Sequence, residues 1–429
     1  MPGPCELRDA PWPGSVQQQC SGMLQGRDII VFTYADWHAV KSTPQHLSKL
    51  LAQTNRVLYV DMPRSFLRFL KGVDSQGAGA WSGKPLQEGA PNLFVFHPPH
   101  RFLPIGQVPF PVARRTLRVN GYFLARMVRE QAHRLGFKDP ILWNFSPIHG
   151  GAAPFIPRAL SVHDICDEWA NYLEDRAGRR LVDWMDRRLA ASADIVFVFS
   201  QHMRARREGL CPETHVVLPA GDVAHYSKAN DPALAAPRDI ARLPHPIIGA
   251  ICVIDRYRFD VGLIARMAAL RPQWSIALLG PVRGVVDFTP LERFPNVHLM
   301  GNRPLEDMPA YLKGMDAALV PYAINEATKG IYPMKIQEYL AGSKPVVCPR
   351  LPECLHLEEV VYFAEAHDEF VTMTDRALAE DNPERQAARR TVAEQNSWRR
   401  RLEQRSDHIE RLLRAREGCV AEVGGAAGV

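Results

Sequence analysis

Asp28-Ile-Ile-Val-Phe-Thr-Tyr34 and Arg56-Val-Leu-Tyr-Val-Asp-Met-Pro63 are short apolar, β-branched runs that flank a helical stretch, Pro44 to Gln53. Neither run alternates cleanly between apolar and polar residues, so each reads as a strand covered on both faces, as in a parallel sheet. Further strands are expected at Asn92–His97, Ile141–Phe145, Leu160–Asp164, Asp194–Ser200 and Val216–Pro219, with helical sequence between most of them. The Gly-rich stretch Ser75 to Gly89 reads as a mobile loop.

A second alternating series starts at Pro246-Ile-Ile-Gly-Ala-Ile-Cys-Val-Ile254. It continues through Trp274–Gly280, Asn296–Gly301, Ala317–Pro321, Lys344–Cys348 and Val360–Ala364. The Pro- and Ala-rich stretch Ala229–Pro246 before it reads as a linker. The fold class is therefore α/β, with two Rossmann-like, doubly wound domains facing a cleft. The expected division is a disordered lead over 1–27, a first domain over 28–228, a second over 229–395, and a crossover helix and tail over 396–429. Charged helical sequence at Pro383–Gln395 and Ser397–Arg416 ends the chain, and the last helix is expected to pack back on the first domain.

The 429 residues carry 52 Lys+Arg against 47 Asp+Glu, an excess of only 5 positive charges, so a dedicated nucleic-acid binder is not expected. No apolar run is long enough for a transmembrane helix, and the first residues lack the apolar core of a signal peptide. Eight scattered cysteines contain no Cys-x-x-Cys and read as thiols in a reducing cytosol. No Asp-x-Asp and no Gly-x-Gly-x-x-Gly after a strand occurs, so neither a metal-clamped diphosphate nor a nicotinamide site is indicated. His97-Pro-Pro-His100 reads as a turn and not as a metal site.

In doubly wound sheets, ligands lie beyond the carboxyl ends of the strands. The first such loop of the second domain, Asp255-Arg-Tyr-Arg-Phe-Asp260, offers Arg256 and Arg258 to a diphosphate. The sharpest signal is Lys329-Gly-Ile-Tyr-Pro-Met-Lys-Ile-Gln-Glu-Tyr-Leu-Ala-Gly-Ser-Lys-Pro-Val-Val347. Here Pro333 pre-sets a helix whose first N–H groups suit an anion, with Tyr332 and Lys335 beside that mouth and Glu338 a turn further on.

This segment resembles the nucleotide-sugar site of GT-B glycosyltransferases, on Pro333, Lys335, Glu338, Tyr339, Leu340, Ala341, Lys344 and Pro345. The similarity extends upstream to Asn296–Gly301, Pro309–Leu312 and Asp316–Tyr322, and also covers Arg271–Trp274 and Asn396–Trp398. It implies that Glu338 holds the donor ribose while Arg256 and Lys335 neutralise the leaving diphosphate. Many retaining members carry a second Glu eight positions before the ribose Glu, where this chain has Gly330. An inverting transferase similar to the membrane-associated glucuronosyltransferase of xanthan synthesis is therefore the better comparison.

An inverting transfer needs a base on the first domain. Ser161-Val-His-Asp-Ile-Cys-Asp-Glu-Trp169 resembles a segment of related polysaccharide transferases, and its Asp164 and Asp167 are the leading candidates. His38 and Asp36, after the first strand, are the reserve. Arg64–Lys71 and Arg101–Phe110 interleave basic and apolar residues and suggest contact with the inner leaflet of the plasma membrane. The expected partners are thus a nucleotide-sugar donor and a lipid-linked saccharide acceptor, with no metal or other cofactor, in exopolysaccharide assembly at the cytoplasmic face. A sugar-nucleotide epimerase of the same fold and a catalytically silent partner subunit remain alternatives.

Overall fold

In the computed structural model the described residues are 22–38, 42–63, 86–99, 102–103, 108–173, 175–325, 328 and 330–426. The expected membrane segment 64–71 lies outside them, as do most of 101–107 and residues 1–21 of the expected lead. Phe102 is buried in the core and Leu103 is exposed.

The first domain is built on an eight-stranded sheet, in the order β3-β4-β2-β1-β5-β6-β7-β8. Its strands are β1 (Asp28–Phe32), β2 (Arg56–Val60), β3 (Leu86–Ala90), β4 (Leu93–Phe96), β5 (Ile141–Asn144), β6 (Leu160–Ile165), β7 (Ile195–Val198) and β8 (Thr214–Val216). All neighbours pair in parallel except β3, which runs antiparallel to β4. Of the loop expected over 75–89, residues 75–85 lie outside the described residues and 86–89 belong to β3; Asn92 takes a left-handed backbone (φ 63°), which Asn tolerates, and so closes a hairpin. Met23 and Leu24, from the stretch expected to be a disordered lead, are buried in the core of this domain.

The second sheet is six-stranded and wholly parallel: β13-β11-β9-β14-β15-β16. Its members are β9 (Ile247–Ile251), β11 (Ser275–Leu279), β13 (Val297–Gly301), β14 (Ala317–Leu319), β15 (Val346–Pro349) and β16 (Val361–Ala364). A two-residue pair, β10 (Ile254–Asp255) and β12 (Val282–Arg283), extends beyond it. Counted from β9, the order is 3-2-1-4-5-6, so the strand order reverses between β9 and β14. In the first sheet the reversal falls between β1 and β5. The crevice at each reversal is where a ligand has room to enter.

The longer helices are α1 (Thr43–Leu51), α2 (Phe110–Arg134), α3 (Arg176–Ser192), α4 (Val261–Leu270), α5 (Met334–Ala341), α6 (His367–Ala379), α7 (Pro383–Gln395) and α8 (Trp398–Ala426). In the second domain α4 and α6 cover one face and α5, with Ala393 of α7, the other. Tyr226, Ala229 and Ile240 belong to this domain's core, so its packing starts before Ala229, and the expected linker is a folded part of it.

α8 returns to the first domain. Trp398, Leu402, Ile409 and Leu413 recur at helical spacing and bury against α1 and the first sheet. Between them Arg405 reaches Asp164 through Nε at 2.8 Å and Nη2 at 3.2 Å, with both side chains wholly buried. The domains also meet where the Glu353 carboxylate accepts the N–H groups of Gln201 (3.2 Å) and His202 (3.1 Å).

Candidate functional site

The crevice between β9 and β14 is assembled from two loops. Phe259 and Tyr322 form an antiparallel bridge, Ala323 N donates to Arg258 O at 2.7 Å, and Asn325 Nδ2 donates to Tyr257 O at 2.7 Å. Thr328 Oγ1 accepts from Asn325 N and donates to Ala323 O, which folds the second loop back on itself. Pro333 then stands at the N-cap of α5. The Tyr339 phenol accepts Ile251 N at 2.8 Å and donates to Ile251 O at 3.0 Å, fixing α5 against the end of β9.

That clamp sets the position of Lys335 and Glu338. Lys335 Nζ donates to Glu338 Oε2 at 2.7 Å and to the Tyr226 hydroxyl at 3.3 Å. Burial works against the Lys335 charge, but the Glu338 carboxylate, together with the Tyr339 and Tyr322 phenols, raises the lysine above its ordinary value. Burial, opposed by the charges of Lys335 and Arg258, pushes the Cys252 thiol at the end of β9 up to about 12. The Glu338 side chain is 12% exposed and that of Lys335 29%, so the pair is sheltered yet reachable. Gly221, on the incoming chain, presses on this helix: a Cβ there would meet Glu338 N at 2.9 Å.

Other expected ligands are placed differently. Arg258 donates to Asp255 Oδ2 through Nε (2.9 Å) and Nη2 (2.6 Å), so a carboxylate already neutralises it. The Tyr332 hydroxyl accepts from Gln337 Nε2 at 2.6 Å and its ring is buried, so it is a core residue and not a ligand contact. Arg256 is exposed over the Tyr257 ring, at 4.7 Å from its centroid. At Gly330 a Cβ would meet His202 Cδ2 at 2.9 Å, so the first domain's histidine fills the space a side chain there would take.

On the first domain, Asp164 is not a base. Arg405 engages both its oxygens, Trp143 Nε1 donates to it at 3.2 Å, and α8 covers it. Glu168 is held by Arg207 (2.6 Å) and Arg206 (3.1 Å). Arg207 also binds Asp186, which bonds His163. Burial would raise Asp186, but His163 and Arg207 hold it below the usual carboxylate range. Asp167 lies half-buried on the rim and accepts Glu168 N at 2.9 Å. His38 is exposed at the end of the β1 loop, its ring 6.1 Å from that of His97.

Two features of this rim had no clear local signal. His97 Nδ1 pairs with Asp61, whose carboxylate also accepts Trp37 N at 2.8 Å. At the first sheet's own reversal, His149 stacks on Phe32 (5.0 Å) with both ring nitrogens lacking hydrogen-bond partners. Burial drives its pKa down to about 3, so the ring is neutral. Among the described residues no three His, Cys, Asp or Glu side chains converge as a metal-binding group. The described cysteines are free thiols, mostly buried. No described helix is long and apolar enough to cross a membrane.

Two doubly wound sheets, each with a reversal crevice and tied by a returning C-terminal helix, define the GT-B fold of glycosyltransferases. Residues 261–407, which include Lys335 and Glu338, match the model of a family described as glycosyl transferase-like. Over 251 residues the chain is 23% identical to a putative teichuronic acid biosynthesis glycosyltransferase of Bacillus subtilis, TuaH. That alignment covers 55% of this chain and 63% of the relative, less than two thirds of its length.

Among solved structures, a sucrose-phosphate synthase from Thermosynechococcus elongatus superposes with a TM-score of 0.58 at 14% identity, covering 94% of this chain and 100% of that one. An α,α-trehalose 6-phosphate synthase from Burkholderia multivorans gives 0.61 at 10% identity, covering 94% and 99%. The Anabaena protein HepE in complex with UDP gives 0.61 at 14% identity, covering 90% and 99%.

Proposed function

We propose that this chain is a glycosyltransferase that moves a sugar from a nucleotide-sugar donor to a lipid-linked saccharide, in assembly of a cell-surface polysaccharide. The Lys335–Glu338 pair at the reversal of the second sheet carries the reading. The Lys335 ammonium meets the negative charge that grows on the departing diphosphate, and Arg256 adds a second cation from the neighbouring loop. The Glu338 carboxylate accepts hydrogen bonds from the ribose hydroxyls. Side-chain cations thus supply the neutralising charge, which supports transfer without a metal ion.

His202 against Gly330, where retaining members carry a carboxylate, supports a direct, inverting displacement. A base on the first domain takes the acceptor hydroxyl's proton as its oxygen attacks the anomeric carbon, and the diphosphate leaves with the bonding electron pair. Asp167 and His38 are the rim groups offered for that task. The UDP complex of HepE and the assignment of TuaH to teichuronic acid biosynthesis support a uridine diphosphate sugar and a polysaccharide acceptor. The place of work is the inner face of the plasma membrane.

A melting screen against nucleotide sugars tests the reading, because a ligand that binds the native state raises its stability. Glu338→Ala and Lys335→Ala lose that stabilisation; unchanged stabilisation would remove the site. Incubation with donor alone gives no epimerised sugar, and an epimerised product would replace transfer with isomerisation. Donor turnover with a membrane extract separates the enzyme from a silent partner.

A further inference from the structure

Five of the exposed large apolar side chains among the described residues lie on or beside the first half of α2: Leu103, Val112, Val119, Tyr122 and Phe123 are 44–55% exposed. Leu103 is fixed there by the Asn120 amide, which accepts from its N–H at 3.0 Å and donates to its carbonyl at 2.7 Å. The same stretch exposes Arg114, Arg115, Arg118, Arg126 and Arg129, and no acidic residue occurs on α2 before Glu130. Such a helix face, apolar and basic together, suits neither the protein interior nor plain solvent.

Beside it, Arg114 and Arg118 of α2 and Arg188 of α3 line a cavity of about 180 Å³ with Trp184 and Phe155. Arg114 and Arg188 lie 5.0 and 5.3 Å from the Trp184 ring centroid, and Arg180 lies 5.1 Å from that of Phe110. Among the described residues no carboxylate forms an ion pair with Arg114, Arg118 or Arg188. The α3 acids are engaged elsewhere, Asp183 with Arg206 and Asp186 with His163 and Arg207. The cavity wall is firm, since α2 touches the 147–151 turn so closely that a Cβ on Gly121 would meet Gly151 O at 2.1 Å.

We propose that this face docks on an anionic phospholipid leaflet, with a headgroup phosphate seated among Arg114, Arg118 and Arg188 and with Val119, Tyr122, Phe123 and Leu103 entering the acyl boundary. Guanidinium forks match phosphate oxygens, and stacking on an aromatic wall holds them in place for that contact. The apolar rim distinguishes a leaflet from a soluble anion, for which charge alone would suffice. The start of α2 follows β4 and so lies at the carboxyl edge of the first sheet, where a lipid-linked acceptor would be presented. In that last respect the proposal rests on the transferase reading, but leaflet binding requires neither donor nor transfer.

Co-sedimentation of the full chain with phosphatidylcholine vesicles, with and without phosphatidylglycerol, tests it. Each basic side chain near an anionic surface raises partitioning about fivefold, so anionic vesicles should bind at least about tenfold better and lose that gain in high salt. Arg114→Glu with Arg118→Glu should abolish the gain, and Tyr122→Ser with Phe123→Ser should weaken binding to anionic vesicles while melting stays unchanged. Equal binding to both vesicle types, or variants that bind as the wild type does, would overturn the proposal. So would retention by a single-stranded oligonucleotide as strong as that by the vesicles, or capture of inorganic phosphate without vesicle binding. UDP binding by the same samples reports the donor site separately, so the two readings can fail independently.

Discussion

Asp164, near the end of β6, and Glu338, on α5, both lie against a cation, yet the two pairs differ in what surrounds them. Asp164 and Arg405 are sealed beneath α8 with no exposed side-chain surface, and their charges are spent on each other. Glu338 and Lys335 lie at the crevice of the second sheet at 12% and 29% exposure, so their pairing stays within reach of solvent. Access, more than residue type, separates a sealed carboxylate from one a ligand could reach. A sealed pair contributes through the cost of breaking it, while an accessible pair can exchange its internal contact for a ligand's.

Breaking the sealed pair should have the largest effect. Arg405→Met leaves a buried carboxylate without its cation and should cost about 3–5 kcal/mol in denaturant unfolding. Adding Asp164→Leu should recover most of that loss, and additive penalties would show that the pair is not coupled. The accessible pair should behave conversely. Lys335→Met or Glu338→Gln should lower transferase kcat/KM about a hundredfold, or about 2.7 kcal/mol, with melting little changed. A large drop in melting with intact turnover would reverse the roles assigned to the two pairs.

His149 provides a third, smaller contrast: a buried group with no partner. Its folded pKa of about 3 lies below its ordinary value of 6.5. The stability it contributes is therefore fully present above 6.5 and is lost as pH falls toward the folded value. Between pH 7.5 and 5.5 this one group should cost about 1.4 kcal/mol of stability. His149→Phe should remove that slope, and an unchanged acid dependence of melting would show that the ring is not sealed. Least of all, Glu353→Ala removes the acceptor for Gln201 N and His202 N and should cost under about 1 kcal/mol. Its main sign should be faster amide exchange at Gln201 and His202.

The same contrast explains what could be read from the sequence. Lys335 and Glu338 are legible because helix start, lysine and carboxylate occupy one short stretch and their geometry follows from a single helix. Both alternating series of strands were legible for the same reason, since periodicity is local. Asp164 looked identical as a strand-end acid, but the arginine that takes it lies 241 residues away on α8, a pairing no local pattern announces. The pairing of Asp61 with His97 and the burial of His149 are likewise tertiary facts. Arg258 is different: its partner Asp255 stands three residues before it, within the quoted motif, and a tight turn joining them could have been anticipated.

A calorimetric titration of UDP into the wild-type chain and into Glu338→Gln and Lys335→Met tests the donor site itself. The wild type should bind, and each variant should lose at least about tenfold in affinity, the scale of one charge-assisted hydrogen bond. Variants that bind UDP as tightly as the wild type would contradict the assignment of the second-sheet crevice as the donor site.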